Sequence, residues 1–170
     1  GATIPDRARA DMHHRIARAL ELRTPTAVAD IARHYHAAGD DYEAFRYAIL
    51  AAGRAASVHA HDEAAACLAV AQRHAPSADD LAAARVEHAR VAESASRFQQ
   101  AEELCDLALD HLATQSDRVK TLSVRRIRER VRARRGQPVR RTLDACLALL
   151  SEAESEHADD EAVALHVMVA

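Results

Sequence analysis

Tryptophan is absent from this 170-residue chain, and aromatic residues together make up only 3% of it. Strands draw on aromatic and β-branched side chains, so this scarcity argues against a sheet. Four glycines and four prolines leave little punctuation. No apolar run approaches the ~18 residues that a membrane span needs, which excludes one. No charged-then-apolar segment opens the chain, so a secretory leader is not expected. Cysteines are few and odd in number: Cys67, Cys105 and Cys146, far apart, each in an apolar helical stretch, with no Cys-x-x-Cys. The expectation is three buried reduced thiols in a cytoplasmic protein. A dominant charge is missing too. Lys and Arg number 23, Asp and Glu 26, for a net charge of −3, so composition alone names no partner.

What the chain has is alanine, 41 residues of it. Alanine is the best helix former, and the straight-chain Arg, Glu and Leu that accompany it follow closely. Helix signals then come at a regular pace. A first helix is expected over about Pro5–Leu22, with Ile16, Ala19 and Leu20 on one face. Thr24-Pro25 reads as an N-cap with proline at the first helical position. The helix it opens carries Val28, Ile31, Ala32 and Tyr35 and stops at Gly39. Asp40-Asp41 restarts the chain, with Tyr42, Phe45, Ala48, Ile49 and Ala52 as the next apolar stripe. After a turn at His59-Ala60-His61-Asp62 come Ala64, Leu68, Ala71 and Ala75.

Ser77-Ala78-Asp79-Asp80 is a relative of the capping box and begins a fifth helix reaching about Ala95. The sixth spans about Arg97–Ala113, with Phe98, Ala101, Leu104, Cys105, Ala108, Leu109 and Leu112 at helical spacing. Ser116 opens a seventh that ends at Gly136. Gln137-Pro138 opens an eighth carrying Val139, Leu143, Cys146, Leu147 and Leu150. Asp159-Asp160-Glu161 begins a ninth whose pattern still runs at Ala170, so a piece of a longer protein is expected. Helices of this length on short turns form antiparallel hairpins.

The hairpins repeat. Gly39-Asp40-Asp41-Tyr42-Glu43-Ala44 aligns with Ser96-Arg97-Phe98-Gln99-Gln100-Ala101, each followed by an alanine seven residues on, Ala51 and Ala108. Ala32 and Ala89 stand inside the preceding helices. His61-Asp62-Glu63-Ala64 behaves likewise, with Ala71 and then Pro76. Gly136-Gln137-Pro138 starts a fourth copy with Ala148 in its second helix, where Arg141 replaces the early small residue. These residues resemble the tetratricopeptide repeat, a helix–turn–helix unit of about 34 residues. The spacing departs from it, running from 20 to about 40.

A second resemblance covers about residues 6–76. Arg7, Met12-His13, Ile16-Ala17 and Leu20-Glu21, then Ala29, Ile31-Ala32, His34 and Ala37-Ala38-Gly39-Asp40, then Ala44, Tyr47 and Ala51 are similar to the stretch after the ATPase core of large bacterial LuxR-type and cyclase-linked regulators of the STAND class. That resemblance implies a sensor or scaffold segment of a signalling protein or transcription regulator. No Gly-x-x-x-x-Gly-Lys-Ser/Thr occurs, so an ATP site would lie outside this chain, and no cofactor is expected.

Eleven histidines raise the question of a metal. His59-Ala60-His61-Asp62-Glu63 places four possible ligands at a turn, but zinc needs three or four that converge. Solvated turn residues with Asp62 capping a helix are the plainer reading. His34 and His36 point about 200° apart on a helix and cannot chelate together. His13-His14 is no stronger. His88, on an apolar face, reads as a packing residue. No Gly-x-Ser-x-Gly and no glycine-rich loop occurs, and the carboxylates are scattered at ordinary helix-pair spacings, so no enzyme activity is expected.

The sharpest local feature is basic. From Arg118 to Arg141 there are eleven positive residues and one acid, Glu129, a net +10, so the remainder of the chain carries −13. An acidic stretch follows, from Asp144 through Glu152, Glu154, Glu156, Asp159, Asp160 and Glu161. Val124, Ile127 and Val131 supply the buried stripe of the basic helix. Arg118, Arg125, Arg128, Arg132 and Arg135 fall on one side of it, and Arg126, Arg130 and Arg134 on another. Three readings compete. The acidic stretch neutralises the arginines internally, through Glu152, Glu154 and Glu156. Or the helix binds an acidic protein segment. Or it contacts nucleic acid, against which stand the missing aromatic platform and the negative overall charge.

These readings converge on a single all-α domain over 1–170, with a connecting helix over 1–23 and tetratricopeptide-like hairpins over 24–170, about nine helices stacked as a right-handed superhelix. The expected function is protein–protein interaction or signal sensing within a larger cytoplasmic transcriptional regulator. The alternative is a nucleic-acid-contacting module using the basic helix 118–141. The expected partner is a protein segment or neighbouring domain, acidic in character, with no membrane. The resemblance carries acidic-ligand binding to Arg126 and Arg130, which share their side of the helix with Arg134, and Arg33 and Arg90, at the equivalent place in earlier hairpins, would extend the track.

Overall fold

The computed structural model describes residues 5–115 and 117–155. Among them there is no strand, and eight helices follow one another: α1 (Asp6–Arg23), α2 (Val28–Ala38), α3 (Asp41–Ser57), α4 (His61–His74), α5 (Ala78–Ser94), α6 (Phe98–Leu112), α7 (Arg118–Arg134) and α8 (Val139–Ser155). The expected ninth helix over 159–170 lies outside the described residues, as does the expected opening residue Ser116. Contacts divide the chain into two units, Gly1–Ala84 and Arg85–Ala170, with the division falling inside α5.

One turn is used four times. Gly39, His59, Ser96 and Gly136 all have positive φ, at 74°, 60°, 60° and 99°. At each, the turn residue's N–H donates to the carbonyl three back and the next N–H to the carbonyl five back. The pairs are Gly39 to His36 and Asp40 to Tyr35; His59 to Ala56 and Ala60 to Ala55; Ser96 to Glu93 and Arg97 to Ala92; Gly136 to Ala133 and Gln137 to Arg132. This is the Schellman ending of a helix, which satisfies orphan carbonyls at the price of a left-handed residue. Two turns use glycine, and two force an L residue into that region.

The 20-residue spacing between the first two copies now has a cause. The turns at Gly39 and His59 flank a single helix, so α3 is both the second helix of one hairpin and the first of the next. Interior positions repeat with the turn. Four, eight and eleven residues after the N-cap stand Ala44, Ala48 and Ala51 in α3, Ala64, Leu68 and Ala71 in α4, and Ala101, Cys105 and Ala108 in α6, all buried. In α8 the same offsets from Pro138 select Thr142, Cys146 and Leu149. The expected fourth-copy residue Ala148 is exposed instead. Proline delays the helix by one residue, and Thr142 N–H bonds the Pro138 carbonyl, so every interior position moves one residue on.

Other endings correct the sequence reading. Thr24-Pro25 does not cap α2: the Thr24 carbonyl accepts from Ala27 N–H in a turn, and the helix starts at Val28. Asp62 lies inside α4, whose N-cap is Ala60. Asp40 and Asp117 accept the N–H groups of Glu43 and Lys120 as side-chain caps. Ser77 caps α5 as expected, accepting from Asp80 N–H at 3.0 Å.

In the first unit Ala17 of α1 packs with Ile31, Tyr35 and Ala44, and a second cluster joins Ala32, Ala48, Ala71 and Ala84. Alanine at nearly every interior position leaves little apolar area per residue but lets the backbones approach closely. Tyr42, expected on the apolar stripe of α3, is exposed. In the second unit one cluster runs from Ala89 and Ala92 through Ala101, Leu104, Cys105, Ala108 and Leu112 to Val124, Ile127 and Val131. Leu122, Leu149 and Ala153 form a smaller one under α8. Cys105 and Cys146 are buried free thiols as expected, whereas Cys67 is only half-buried. Burial pushes Cys105 up to about 11. No described helix is long and apolar enough to cross a membrane.

Candidate functional site

Helix α7 must bury a stripe while carrying seven arginines, and the sequence handles this by leaving the stripe narrow. Leu122, Val124, Ile127 and Val131 are buried, and Glu129 with them. Glu129 stands seven residues before Gly136, where the other turns have Ala32, Ala52 and Ala89. A carboxylate in a small-residue site has to be matched. Arg132 donates to it at 2.9 Å, with Arg128 at 3.5 Å.

The expected groups of arginines face different carboxylates. On the first side, Arg128 donates to Asp106 at 3.0 Å, Arg132 to Glu102 at 2.7 Å and Arg135 to Glu102 at 2.7 Å. Arg125 grips both oxygens of Glu152, at 2.9 and 3.2 Å. On the second side, Arg130 makes a two-pronged bond to Glu93, at 2.7 Å through Nε and 2.6 Å through a terminal nitrogen. Glu93 is 5% exposed, so this is a desolvated, fork-to-carboxylate pair, the strong kind. Arg134 lies 3.5 Å from the same carboxylate and is itself 55% exposed. Arg118 and Arg126 are not free either.

The electrostatics follow the geometry. The Glu93 carboxylate raises Arg130 above its ordinary value, against burial that lowers it. Burial pulls Arg132 down, and the carboxylates of Glu102 and Glu129 more than offset it. Hydrogen bonding from Arg132 holds Glu102 below the ordinary carboxylate range.

Internal neutralisation is therefore extensive, but the acids differ from those expected. Only Glu152 of the acidic stretch takes part among the described residues. Glu154 is exposed and Glu156 lies outside them. Most of the work falls to Glu129 and to Glu93, Glu102 and Asp106, the last three absent from the sequence argument. A signal was there: Glu102 and Asp106 are four apart on α6, and Arg128 and Arg132 four apart on α7, which pairs them in antiparallel register. The earlier candidates behave differently. Arg33 pairs with Asp30 at 2.7 Å and Arg90 with Glu87 at 3.5 Å, each within its own helix and largely exposed. Such pairs contribute little.

The histidines were also under-read. His34 and His36 do point apart, and each finds another histidine. His13 Nδ1 lies 2.8 Å from His34 Nδ1, and His36 Nδ1 lies 2.5 Å from His74 Nε2. His59 and His61 stack edge to face with ring centres 5.9 Å apart. His88, expected as a partly buried packing residue, is buried outright, held below its ordinary value by burial and then by Arg97. Among the described residues no three His, Cys, Asp or Glu side chains converge on a metal position. Beside the turn at Ser96 an open cleft of about 570 Å³ is lined by Arg97, Phe98, Gln99, Gln100, Glu103 and Arg135. Compared with protein-family models, with curated proteins and with solved structures, the chain matches none.

Proposed function

We propose that this chain is a protein-binding helical-hairpin module, its hairpins stacked as a tetratricopeptide-like right-handed superhelix, and that it serves a larger cytoplasmic regulator as an interaction or sensing segment. The observation that carries this reading is the Schellman turn used four times with the same interior offsets after it. A unit repeated with its contact positions intact is how stacked-hairpin proteins extend a surface along which another segment can lie. The ligand we favour is an acidic protein segment. Arg126 and Arg134 are the candidate contacts on α7, with Arg33 and Arg90 on α2 and α5.

The pairings of α7 divide its arginines by role in this reading. Arg130 is a strut, since removing it would leave Glu93 charged and buried. Arg134 is mostly exposed, 3.5 Å from a carboxylate already gripped by Arg130. A carboxylate on a partner would draw it off at little cost. The same bookkeeping disfavours nucleic acid, because Arg125, Arg128, Arg132 and Arg135 already face acids of this chain.

The test is a fluorescence-anisotropy titration with an acidic peptide library and with duplex DNA, over a series of salt concentrations. The wild type and an Arg126→Ala/Arg134→Ala variant are compared. Peptide binding that the variant weakens tenfold or more supports the reading; the flag is about 0.7 kcal/mol per arginine. Equal binding by both proteins, or none at low salt, sinks it. Preferential DNA binding with a steep salt slope replaces it with the nucleic-acid alternative.

A further inference from the structure

Helix α2 is held from two sides by imidazoles. His34 meets His13 of α1, with the two Nδ1 atoms 2.8 Å apart. His36, two residues on and on the other side of the helix, meets His74 at the end of α4, 2.5 Å from Nδ1 to Nε2. His74 Nδ1 is in turn 2.6 Å from the Asp41 carboxylate of α3. A carboxylate can only accept, so the proton of that bond sits on His74 Nδ1, and while the His74 ring is neutral its Nε2 turns a lone pair towards His36. His36 Nδ1 must then be the donor. In the other pair, likewise, one nitrogen donates and one accepts. Each contact therefore tolerates one protonated ring and fails with two, when N–H would face N–H between two cations.

We propose that these two histidine pairs form a proton-operated latch on α2, closed while each pair holds at least one neutral ring and released when both rings of a pair carry protons. The separations suit a proton between the nitrogens. Two nitrogens bound to one metal ion at about 2.0–2.1 Å each need to spread further than 2.5–2.8 Å in the usual tetrahedral arrangement. What the latch covers is the first core of the N-terminal unit, where Ile31 and Tyr35 of α2 meet Ala17 of α1.

The neighbours of each ring set the direction. His34 is lowered by burial first, then by His13 and Arg33, with Asp30 opposing. His36 is lowered by burial, then by His74 and Arg73. His74 is 9% exposed and faces Asp41 as well as His36, and His14 of α1 lies 3.5 Å from Asp40. Because His34 and His36 sit below their ordinary value of 6.5 when closed, the open state binds more protons over that window. Closure is complete above the ordinary value and is lost as pH falls through the closed-state values.

The test is amide hydrogen exchange of the whole chain between pH about 7.5 and 5.5, corrected for intrinsic rates, with α7 as the internal reference. The expected result is that α2 opens more readily as pH falls, by up to about tenfold per pH unit for each proton taken up on opening, while α7 does not follow. A His34→Gln/His36→Gln variant keeps a side-chain donor without the titration and should respond little to pH. If that variant fails to fold, side-chain ¹⁵N NMR of the wild-type histidines decides: His34 and His36 should titrate below their ordinary value. The proposal is overturned by a common response of α2 and α7, by an unchanged response in the folded variant, or by single unshifted titrations of His34 and His36. Stoichiometric zinc binding near pH 7.5 that shifts all four rings and slows α2 exchange overturns it in favour of a metal clamp.

Discussion

Removing Arg130 is the perturbation that asks most of the structure. Its guanidinium fork holds both oxygens of Glu93 at 2.6–2.7 Å, and Glu93 is almost wholly out of water. Arg130→Met keeps much of the stem volume and deletes the charge, leaving a buried carboxylate unmatched. Breaking a buried pair from one side costs about 3–5 kcal/mol. Arg134, 3.5 Å from the same carboxylate, can move in, so the low end of that range, about 3 kcal/mol, is expected. The double variant Glu93→Met/Arg130→Met removes both charges and the desolvation penalty together. It should return to within about 1–2 kcal/mol of wild type, since apolar replacement of a buried pair is often neutral or better. Urea unfolding followed by circular dichroism reads all three proteins. A cost below about 1 kcal/mol for Arg130→Met, or additive losses in the double variant, would refute the argument that Glu93 depends on this bond.

Four further outcomes follow from particular positions. His59→Gly and Ser96→Gly should each stabilise by about 0.5–1 kcal/mol, because glycine relieves the left-handed strain at φ 60° and gives back part of that in unfolded-chain entropy; thermal melts check this. Ala101→Leu should destabilise by about 1–3 kcal/mol by overpacking a fully buried contact. Phe98→Ala should cost less than full burial of a phenylalanine would imply, about 1–3 kcal/mol, since Phe98 is only partly buried against its cluster. Glu102 is held below its ordinary value of 4.5, so its bonds to Arg132 and Arg135 contribute fully above that pH and are lost as pH falls through the lowered value. Glu102→Gln should flatten that part of an acid-unfolding curve.

The helices were legible because their causes are local. Alanine-rich stripes at helical spacing, Ser77 before Asp80, and glycine at 39 and 136 act within a few residues of themselves. Their consequences appear where expected, with Val28, Ile31, Ala32 and Tyr35 buried along α2. Thr24-Pro25 misled because the same residues favour a turn as readily as a cap. The turns at His59 and Ser96 carry no glycine, so their left-handed backbone had no composition to announce it. The fourth hairpin was misplaced by one residue because a proline changes where a helix begins without changing the look of the stripe. Long-range pairing was hardest. One of the three readings of α7 paired its arginines with the next acidic stretch in sequence, whereas antiparallel packing brings Glu102 and Asp106 of the preceding helix alongside. The histidine pairs have the same character: neither His13 nor His74 says anything about α2 until the helices are side by side.

The contact points of the proposed acidic ligand test the proposed function most directly. Arginine side-chain NMR, following the Nε–H signals of the wild type as an acidic peptide is added at low salt, reads every candidate at once. Arg126 and Arg134 are expected to shift first and saturate together, with Arg33 and Arg90 following if the ligand extends to them, while Arg130 holds its bond to Glu93. Shifts confined to Arg118, Arg125, Arg128, Arg132 and Arg135, or produced by duplex DNA and by no peptide, would contradict the proposed function.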